Sequence, residues 1–544
     1  MSAKQPKSQD TVAQMLVAAF AANQVKRIFG VPGGGSSLDI IDAATTAGIE
    51  FVLTRTESAA VMMAAVTAEL SGTLGVALTT KGPGTASAAN GVAYASLDRA
   101  PVMLLSDGFD PDEQDYVSHQ VFDQQDLLKP VTKGFSRLDG NDADQEISDL
   151  IDRAMTPPLG PVYIELTGAV ARSLSTTTRQ PEQRQPECIE DKAALTHAEE
   201  LMANALRPVI IVGLEARDVK STAAIRSLVT ALRCPVLVTY KAKGVVADHS
   251  EHYAGIFTGG AAEADCLNRA DLILLCGVDP VEFIRKPWSY AAPVIDIALE
   301  RHPVHYVIPA VGLYGSLDEH TARLTKEHTE TAWSNTEIAT LRQGMEQRLQ
   351  YPSVAGLGPQ QVIEMAVEAA QISRGTPRIT VDAGAHMFSA MAFWPCTAPY
   401  DALISNGLAT MAFALPAAIA ATMHEPERPV IAFTGDGGLL MCLGELSTAV
   451  EQRAHIVVIV FNDQSLSLID IKQQQKGFAP HGVRWSRTDF ARVMEGLGGR
   501  GYRVESSDDY EVALRNALTE NGPALIDVSI DPGGYAKQLQ ALRG

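Results

Sequence analysis

A chain of 544 residues, at about 150 residues per domain, implies three to four domains and excludes a single small module. With 46% hydrophobic residues, 20% charged residues and 43 glycines, it can fill several cores, which excludes disorder, collagen and coiled coil as the dominant class. Its 44 basic and 64 acidic residues leave a formal charge of −20, which repels a polyphosphate backbone and argues against nucleic acid as a partner.

The first residues, MSAKQPKSQDT, carry a basic start with no apolar core or cleavage site behind it, and point to the cytoplasm. Short β-rich apolar runs then alternate with longer helical patterns, the signature of parallel sheets covered by helices on both faces. The pattern occurs three times, and the predicted fold class is α/β with three consecutive doubly wound parallel-sheet domains, at 1–175, 191–340 and 359–544. In the first, 27–31, 51–54, 75–80, 102–106 and 162–166 read as strands, with helices at 12–23, 38–46, 57–70 and 85–97. A polar stretch at 173–187 reads as a linker. Strands at 209–212, 236–239, 272–276 and 294–297 follow, then a charged helical segment at 326–349 that bridges to a third unit with strands at 379–383, 430–434, 456–461 and 524–530.

The stretch 402–423 carries no charge, which raises a membrane span. Asn406, Gly407, Thr410 and Pro416 interrupt it, and it reads instead as a segment enclosed by protein, with no membrane partner. The six cysteines, at 188, 234, 266, 276, 396 and 442, form no CxxC pair and no zinc-like spacing, so most are expected to be reduced, buried and inert.

The strongest chemical signal follows 430. An apolar strand, VIAFT, ends in Gly435, Asp436, Gly437 and Gly438, where a helix begins. Ligands bind beyond the carboxyl ends of parallel strands, and a helix amino terminus presents free N–H groups to a phosphate. The glycines permit close approach, and Asp436 is placed to hold a divalent cation against a diphosphate. A second apolar strand, HIVVIVF, ends in Asn462 and Asp463. Magnesium takes carboxylate, carbonyl and phosphate oxygens, which two adjacent strand ends supply together.

This spacing resembles the thiamine diphosphate motif, which begins GDG and ends NN or ND. The chain over nearly all its length is similar to the acetolactate synthase-like superfamily of decarboxylases and carboligases, which includes the pyruvate oxidases and decarboxylases. The resemblance implies a first unit that binds the cofactor's aminopyrimidine ring, a structural or nucleotide-binding middle unit, and a third that binds the diphosphate. By position, Asp436 and Asp463 match the metal-binding side chains, the backbone carbonyl of Ser465 the third protein ligand, and Asn462 the first residue of the final pair. Glu57, in LTRTESAA, matches the glutamate that hydrogen-bonds a cofactor ring nitrogen. That role needs a carboxyl group in an apolar setting, for which Ala59, Ala60, Val61 and Met62 are suitable neighbours. A bare helix-terminal acid favoured by the macrodipole is the plainer reading of the same residue.

Met411, in GLATMAF, resembles the bulky residue beneath the cofactor that bends its two rings together. Ala409 replaces a common family glycine, with contact expected from its carbonyl. Ala385 and His386 match diphosphate-contacting positions, with core packing the alternative for the histidine. The turn GVPGGG at 30–35 is also open to a dinucleotide reading, with Glu50 about 20 residues on; Leu38 stands where the last glycine of that pattern belongs. In the family this turn, with Gly34, shapes the substrate pocket, as does GPG at 82–84. The two cofactor-binding units of one chain serve different cofactors, so Glu57 is expected to act on a cofactor held by a neighbouring copy. A homodimer is then the minimum form, and a dimer of dimers its extension.

Several positions bear on the substrate, expected to be a small carbonyl compound. Gln120 aligns with a recurrent family glutamine, and His119 stands where acetolactate synthases carry phenylalanine, suited to relaying a proton. Lys81 replaces a small serine before GPG and can attract an anion. Leu468 and Lys472 lie four apart and share a helix face, Lys472 taking the place of a substrate-sorting tryptophan. CGVDPVEF lacks the arginine-rich pattern of flavin-binding relatives, so FAD is not expected. The expected function is cleavage or formation of a C–C bond next to a carbonyl with thiamine diphosphate and Mg2+, foremost 2-oxo acid decarboxylation with carboligation. A non-decarboxylating acyloin lyase, a C–C hydrolase, a flavin-linked oxidase and a non-catalytic cofactor-binding homologue stay open.

Overall fold

The computed structural model describes residues 10–175, 191–326 and 331–544, apart from 115, 285, 372 and 374. The predicted linker from 176 onward and Cys188 lie outside the described residues. Three six-stranded sheets, all parallel, account for the apolar runs. The first contains β1 (Arg27–Val31), β2 (Glu50–Leu53), β3 (Gly75–Thr79), β4 (Val102–Asp107), β5 (Phe135–Arg137) and β6 (Val162–Leu166), in the order β2-β1-β3-β4-β6-β5. The second contains β7 (Pro208–Val212), β8 (Val236–Val238), β9 (Tyr253–Ile256), β10 (Leu272–Cys276), β11 (Val294–Ala298) and β12 (Val311–Tyr314), in the order β12-β11-β10-β7-β8-β9. The third contains β13 (Arg378–Val381), β14 (Ala402–Ile404), β15 (Val430–Gly435), β16 (Ile456–Asn462), β17 (Arg500–Val504) and β18 (Ala524–Ser529), in the order β14-β13-β15-β16-β18-β17.

The first and third sheets therefore share one strand order, and the second follows another, the dinucleotide-fold order with its reversal between β7 and β10. The central strands β3, β7, β10 and β16 are buried along their whole length, which is why they read as unbroken apolar runs.

The three predicted sheet domains are present, and by their internal contacts they group into two compact units. One holds the first sheet with Ile419–His424 and Gly444–Thr448, and the other holds the second and third sheets. A single apolar cluster from Leu195 to Leu542 underlies the latter two. Hydrogen bonds close their seam: Asp248 N donates to Cys396 O at 2.9 Å, Cys396 N to Asp248 Oδ2 at 3.1 Å, and Arg226 Nη2 to Thr397 O at 3.1 Å. The charged segment predicted at 326–349 contains the helix Asn335–Leu349, capped by Ser334 and Glu337, whose Met345 lies against Gly255 of β9.

The uncharged stretch 402–423 contains β14, a loop and most of the helix Ala414–His424, and Phe413 through Leu415 and Ala417 through Ala421 are buried. No helix among the described residues is long and apolar enough to cross a membrane. Cys234, Cys266, Cys276, Cys396 and Cys442 are buried and free of disulfides.

Candidate active site

The register that sets Gly435 beside Phe461 brings the carboxyl ends of β15 and β16 together, and the acids just past them share one dry region. Asp436 Oδ1 accepts from Gly437 N at 2.9 Å, and Oδ2 from Gln464 N at 2.8 Å. Asp463 Oδ1 accepts from Ser465 N at 3.1 Å, and Oδ2 from Ser467 Oγ at 2.5 Å. Burial, and next the charge of Asp463, push Asp436 up to about 7. Burial pushes Asp463 up to about 6 against the opposing bond from Ser467. Burial therefore disfavours ionising the two carboxylates together, and a bound cation would offset that cost. Ser465 Oγ is buried and finds no hydrogen-bond partner among the described residues. This oxygen-only donor set fits a hard dication.

A cavity of about 270 Å³ opens against these acids. Of the sequence-predicted residues, Ala385, His386, Ala409, Met411, Gly435, Asp436, Gly437, Gly438, Asp463, Ser465 and Leu468 line it. Asn462 stands outside its walls: Nδ2 donates to Asp527 Oδ1 at 2.8 Å and Thr488 O at 3.2 Å, tying β16 to β18. Lys472, one helical turn beyond Leu468, is exposed and also outside the walls. Tyr535 and Arg543, from the helix Tyr535–Arg543, also line it.

The loop carrying Met411 is held by a residue that sequence reading missed. Asp382, just past β13 and fully buried, accepts from Ala412 N at 3.1 Å, Phe413 N at 2.8 Å and Thr434 Oγ1 at 2.9 Å. Ala409 and Ala412 flank Met411 in left-handed conformations, with φ of 53° and 68°, each costing about 1–2 kcal/mol for a non-glycine residue. The three bonds to one carboxylate offset that strain and fix the Met411 side chain toward the cavity. An added Cβ on Gly438 would lie 2.1 Å from Asp382 Oδ2, whereas one on Gly437 would meet only the side-chain ends of Leu466, Trp485 and Met411 at 3.2 to 3.4 Å.

His386 stacks on Phe461, ring centroids 5.0 Å apart and planes within 18°. Its Nε2 is buried without a hydrogen-bond partner among the described residues, and burial lowers its pKa to about 4. It therefore meets the cavity as a neutral imidazole.

In the first unit, Glu57 opens the helix Glu57–Ser71, behind Thr56 as its cap, and is half-buried. The turn that presents it is clamped from elsewhere in the chain: fully buried Glu445 accepts from Arg55 N at 3.0 Å and Thr56 N at 2.9 Å through Oε1. Gly84 leaves Glu57 room, since a Cβ there would stand 3.4 Å from Glu57 Oε1 and 2.2 Å from Thr79 Oγ1. The GPG turn is fixed by Gln124, whose Oε1 accepts from Gly82 N at 2.8 Å and Thr85 Oγ1 at 2.6 Å. Gln120, left-handed with φ of 64°, abuts the same turn at Gly82. His119 and Gln120 are exposed. Lys81 Nζ lies 4.0 Å above the Phe109 ring. Gly34 is exposed with open space around it, while its neighbours are gathered by Asp107, which accepts from Ser36 Oγ, Ser37 N and Ser37 Oγ at 2.8 to 2.9 Å.

Known proteins share this arrangement along the chain. Residues 10–127 match the thiamine pyrophosphate enzyme N-terminal TPP binding domain, 195–324 the central domain and 382–528 the C-terminal TPP binding domain. The chain belongs to the thiamine pyrophosphate enzymes. It is an enzyme whose two cofactor-binding domains, for thiamine diphosphate, carry the Glu57 turn and the β15–β16 cavity. Its sequence is 27% identical over 534 residues to the acetolactate synthase of Bacillus subtilis (strain 168), covering 95% of this chain and 93% of that one. It is 28% identical over 565 residues to the acetolactate synthase isozyme 3 large subunit of Escherichia coli (strain K12), covering 98% and 96%. The putative thiamine pyrophosphate-containing protein YdaP of Bacillus subtilis (strain 168) is 27% identical over 539 residues, covering 93% and 89%.

Proposed function

We propose that this chain is a magnesium- and thiamine diphosphate-dependent enzyme that decarboxylates a 2-oxo acid and joins the remaining acyl unit to a second carbonyl compound. The observation that carries the reading is the pair of buried Asp436 and half-buried Asp463, raised to about 7 and about 6, at the wall of a cavity that Met411 and the 435–438 glycines shape. When bound, the cofactor supplies an electron sink for the bond next to the carbonyl. The chain's own residues bind, orient and manage protons around it. Asp436, Asp463 and the Ser465 carbonyl hold the magnesium, and Gly435, Gly437 and Gly438 let the diphosphate approach the backbone.

Met411, on the loop that Asp382 fixes, would support the cofactor's ring system. Ala385, His386 and Ala409 contact the cofactor, with His386 neutral and able to donate or accept one hydrogen bond without adding charge. Glu57, in the turn held by Glu445, holds a proton against a ring nitrogen of the cofactor. By family analogy that cofactor is bound by a second copy of the chain, so the working form is a homodimer or a dimer of dimers in the cytoplasm. Lys81, His119, Gln120 and Gly34 then face the substrate from one copy, and Leu468 from the other.

Incubating the protein with thiamine diphosphate, magnesium and a panel of 2-oxo acids and acyloins, with carbon dioxide and aldehyde followed separately, tests the reading. The expected result is carbon dioxide release that needs both cofactor and metal, with a coupled product when an acceptor is added. Consumption of acyloins with no carbon dioxide from any 2-oxo acid refutes decarboxylation and leaves a lyase.

A further inference from the structure

The wall of the cofactor cavity carries a cation that the chemistry above leaves without a task. Asp436 and Asp463 supply its negative charge, His386 is neutral, and Arg543 alone among the described lining residues brings a fixed positive charge. Arg543 also lines an adjoining cavity of about 30 Å³, and Met387 and Phe388 are common to both walls. The guanidinium therefore stands where the two spaces meet. The residue is exposed, so an anion arriving from solvent meets it on the way in.

Arg543 sits on a fixed support. Its helix, Tyr535–Arg543, is anchored by fully buried Gln538, whose Nε2 donates to Leu349 O at 2.8 Å and Ser389 Oγ at 3.1 Å. Ser389 belongs to the helix His386–Phe393, which also supplies His386, Met387 and Phe388 to the cavity. The neighbouring Leu542 is pinned from the second sheet's side, where its carbonyl accepts from Ala261 N at 2.8 Å. Gly260 makes that approach possible, since a Cβ there would lie 2.1 Å from Leu542 O.

Arg543 forms no hydrogen bond or ion pair with any described residue. Glu282, the one acid on the smaller cavity's wall among the described residues, is pushed up to about 8 by burial, and its Oε2 accepts from Leu214 N at 2.9 Å. Near pH 7 it is mostly protonated and offers the guanidinium no counter-charge. A planar guanidinium fork matches a carboxylate through two parallel hydrogen bonds. The carboxylate that departs as carbon dioxide is the wrong partner for it. A fixed cation there stabilises the ground state, and its grip fades as the charge leaves, which raises the barrier. The partner of Arg543 must keep its charge from start to finish.

We propose that Arg543 recognises a carboxylate that the reaction leaves intact, carried by a 2-oxo acid acceptor or by the far end of a dicarboxylic donor. It thereby selects substrates with an acid group beyond the one lost as carbon dioxide. This selection rests on the decarboxylating reading above.

The magnesium- and thiamine diphosphate-loaded protein and its Arg543→Gln variant are compared on two matched pairs. With pyruvate as donor, the acceptors are 2-oxobutanoate and propanal, which lacks the acid group. As donors, 2-oxopentanedioate is set against 2-oxopentanoate. In one pair the ratio of kcat/KM for the acid-bearing member to that for its counterpart is expected to fall at least about tenfold, and that pair identifies the source of the carboxylate. Arg543→Lys, which keeps the charge without the fork, is expected to recover part of the ratio. Ratios unchanged in both pairs, as a structural lesion gives, or a matching fall in thiamine diphosphate affinity, overturn the proposal. Binding of glutarate, an inert dicarboxylate, to the same loaded proteins is followed by ligand-observed NMR and is expected to weaken at least about tenfold in Arg543→Gln. If no 2-oxo acid yields carbon dioxide, the decarboxylating reading fails by itself and the glutarate titration decides for Arg543. Weaker binding in the variant upholds a carboxylate site, whereas equal binding, or none to the native protein, ends it.

Discussion

Replacing Gly438 by alanine is a lesion of the fold, whereas the same change at Gly437 is a lesion of the cofactor site. At Gly438 the new Cβ lies 2.1 Å from Asp382 Oδ2, more than an ångström inside an ordinary contact. Asp382 has no room to retreat, because its two oxygens hold Ala412 N, Phe413 N and Thr434 Oγ1. Losing one bond to a charged acceptor costs about 1.5–3 kcal/mol, and overpacking a filled core adds about 1–3 kcal/mol. A combined loss of about 3–5 kcal/mol lowers the melting temperature of a unit of this size by on the order of 10 °C. At Gly437 the Cβ meets flexible side-chain ends at 3.2 Å or more, and the cost is less than about 1 kcal/mol. Thermal melting without cofactor, with thiamine diphosphate affinity measured beside it, separates the two. Gly437→Ala is expected to melt within about 2 °C of the native protein while binding cofactor at least about tenfold more weakly. Equal melting of the two variants refutes the reasoning that Asp382 is the immovable neighbour.

Glu57→Gln should abolish turnover while magnesium-dependent cofactor binding is retained; an active variant removes Glu57 from the chemistry. Glu445→Ala frees Arg55 N and Thr56 N, so kcat should fall at least about tenfold with the diphosphate affinity unchanged, and an unaltered kcat shows that the clamp is dispensable. Burial raises Asp436 to about 7 and Asp463 to about 6, above their values in the unfolded chain. The folded apoprotein therefore keeps protons that the unfolded chain has released, and its stability falls as pH rises from about 4 to about 7. A bound dication favours the ionised pair, so the stabilisation by magnesium and thiamine diphosphate grows across that window. Melting curves from about pH 5 to about pH 8 with and without both ligands test this. A flat apoprotein profile that Asp436→Asn does not change counts against it.

The interior strands were legible because a strand covered on both faces is apolar over most of its length, as β15 is to Phe433 and β16 to Phe461. The five strands that the sequence pattern does not announce, β5, β9, β12, β14 and β17, all lie at sheet edges. They are short, or polar like Arg500–Val504, as edge strands with a single neighbour are free to be. At the site, Asp436 and Asp463 stood out because strand end, glycine and acid are contiguous in the chain. Asp382 did not, because its partners lie about thirty residues on. Glu445 acts on a turn 390 residues away, and no local pattern encodes such a distance. Lys472 shows the limit of spacing arguments: sharing a helix face with Leu468 does not bring it to the cavity, because the helix leaves the rim within a turn.

The seam between the second and third sheets sets where this chain can be cut and rejoined. A graft that exchanged the second sheet alone for a relative's would have to reproduce the two bonds between Asp248 and Cys396, one of them to the Asp248 carboxylate, and the tight approach of Gly244 to the Ala398 carbonyl, where a Cβ would come within 2.0 Å. The second and third sheets are thus fused, so a functional chimera inherits both from one parent.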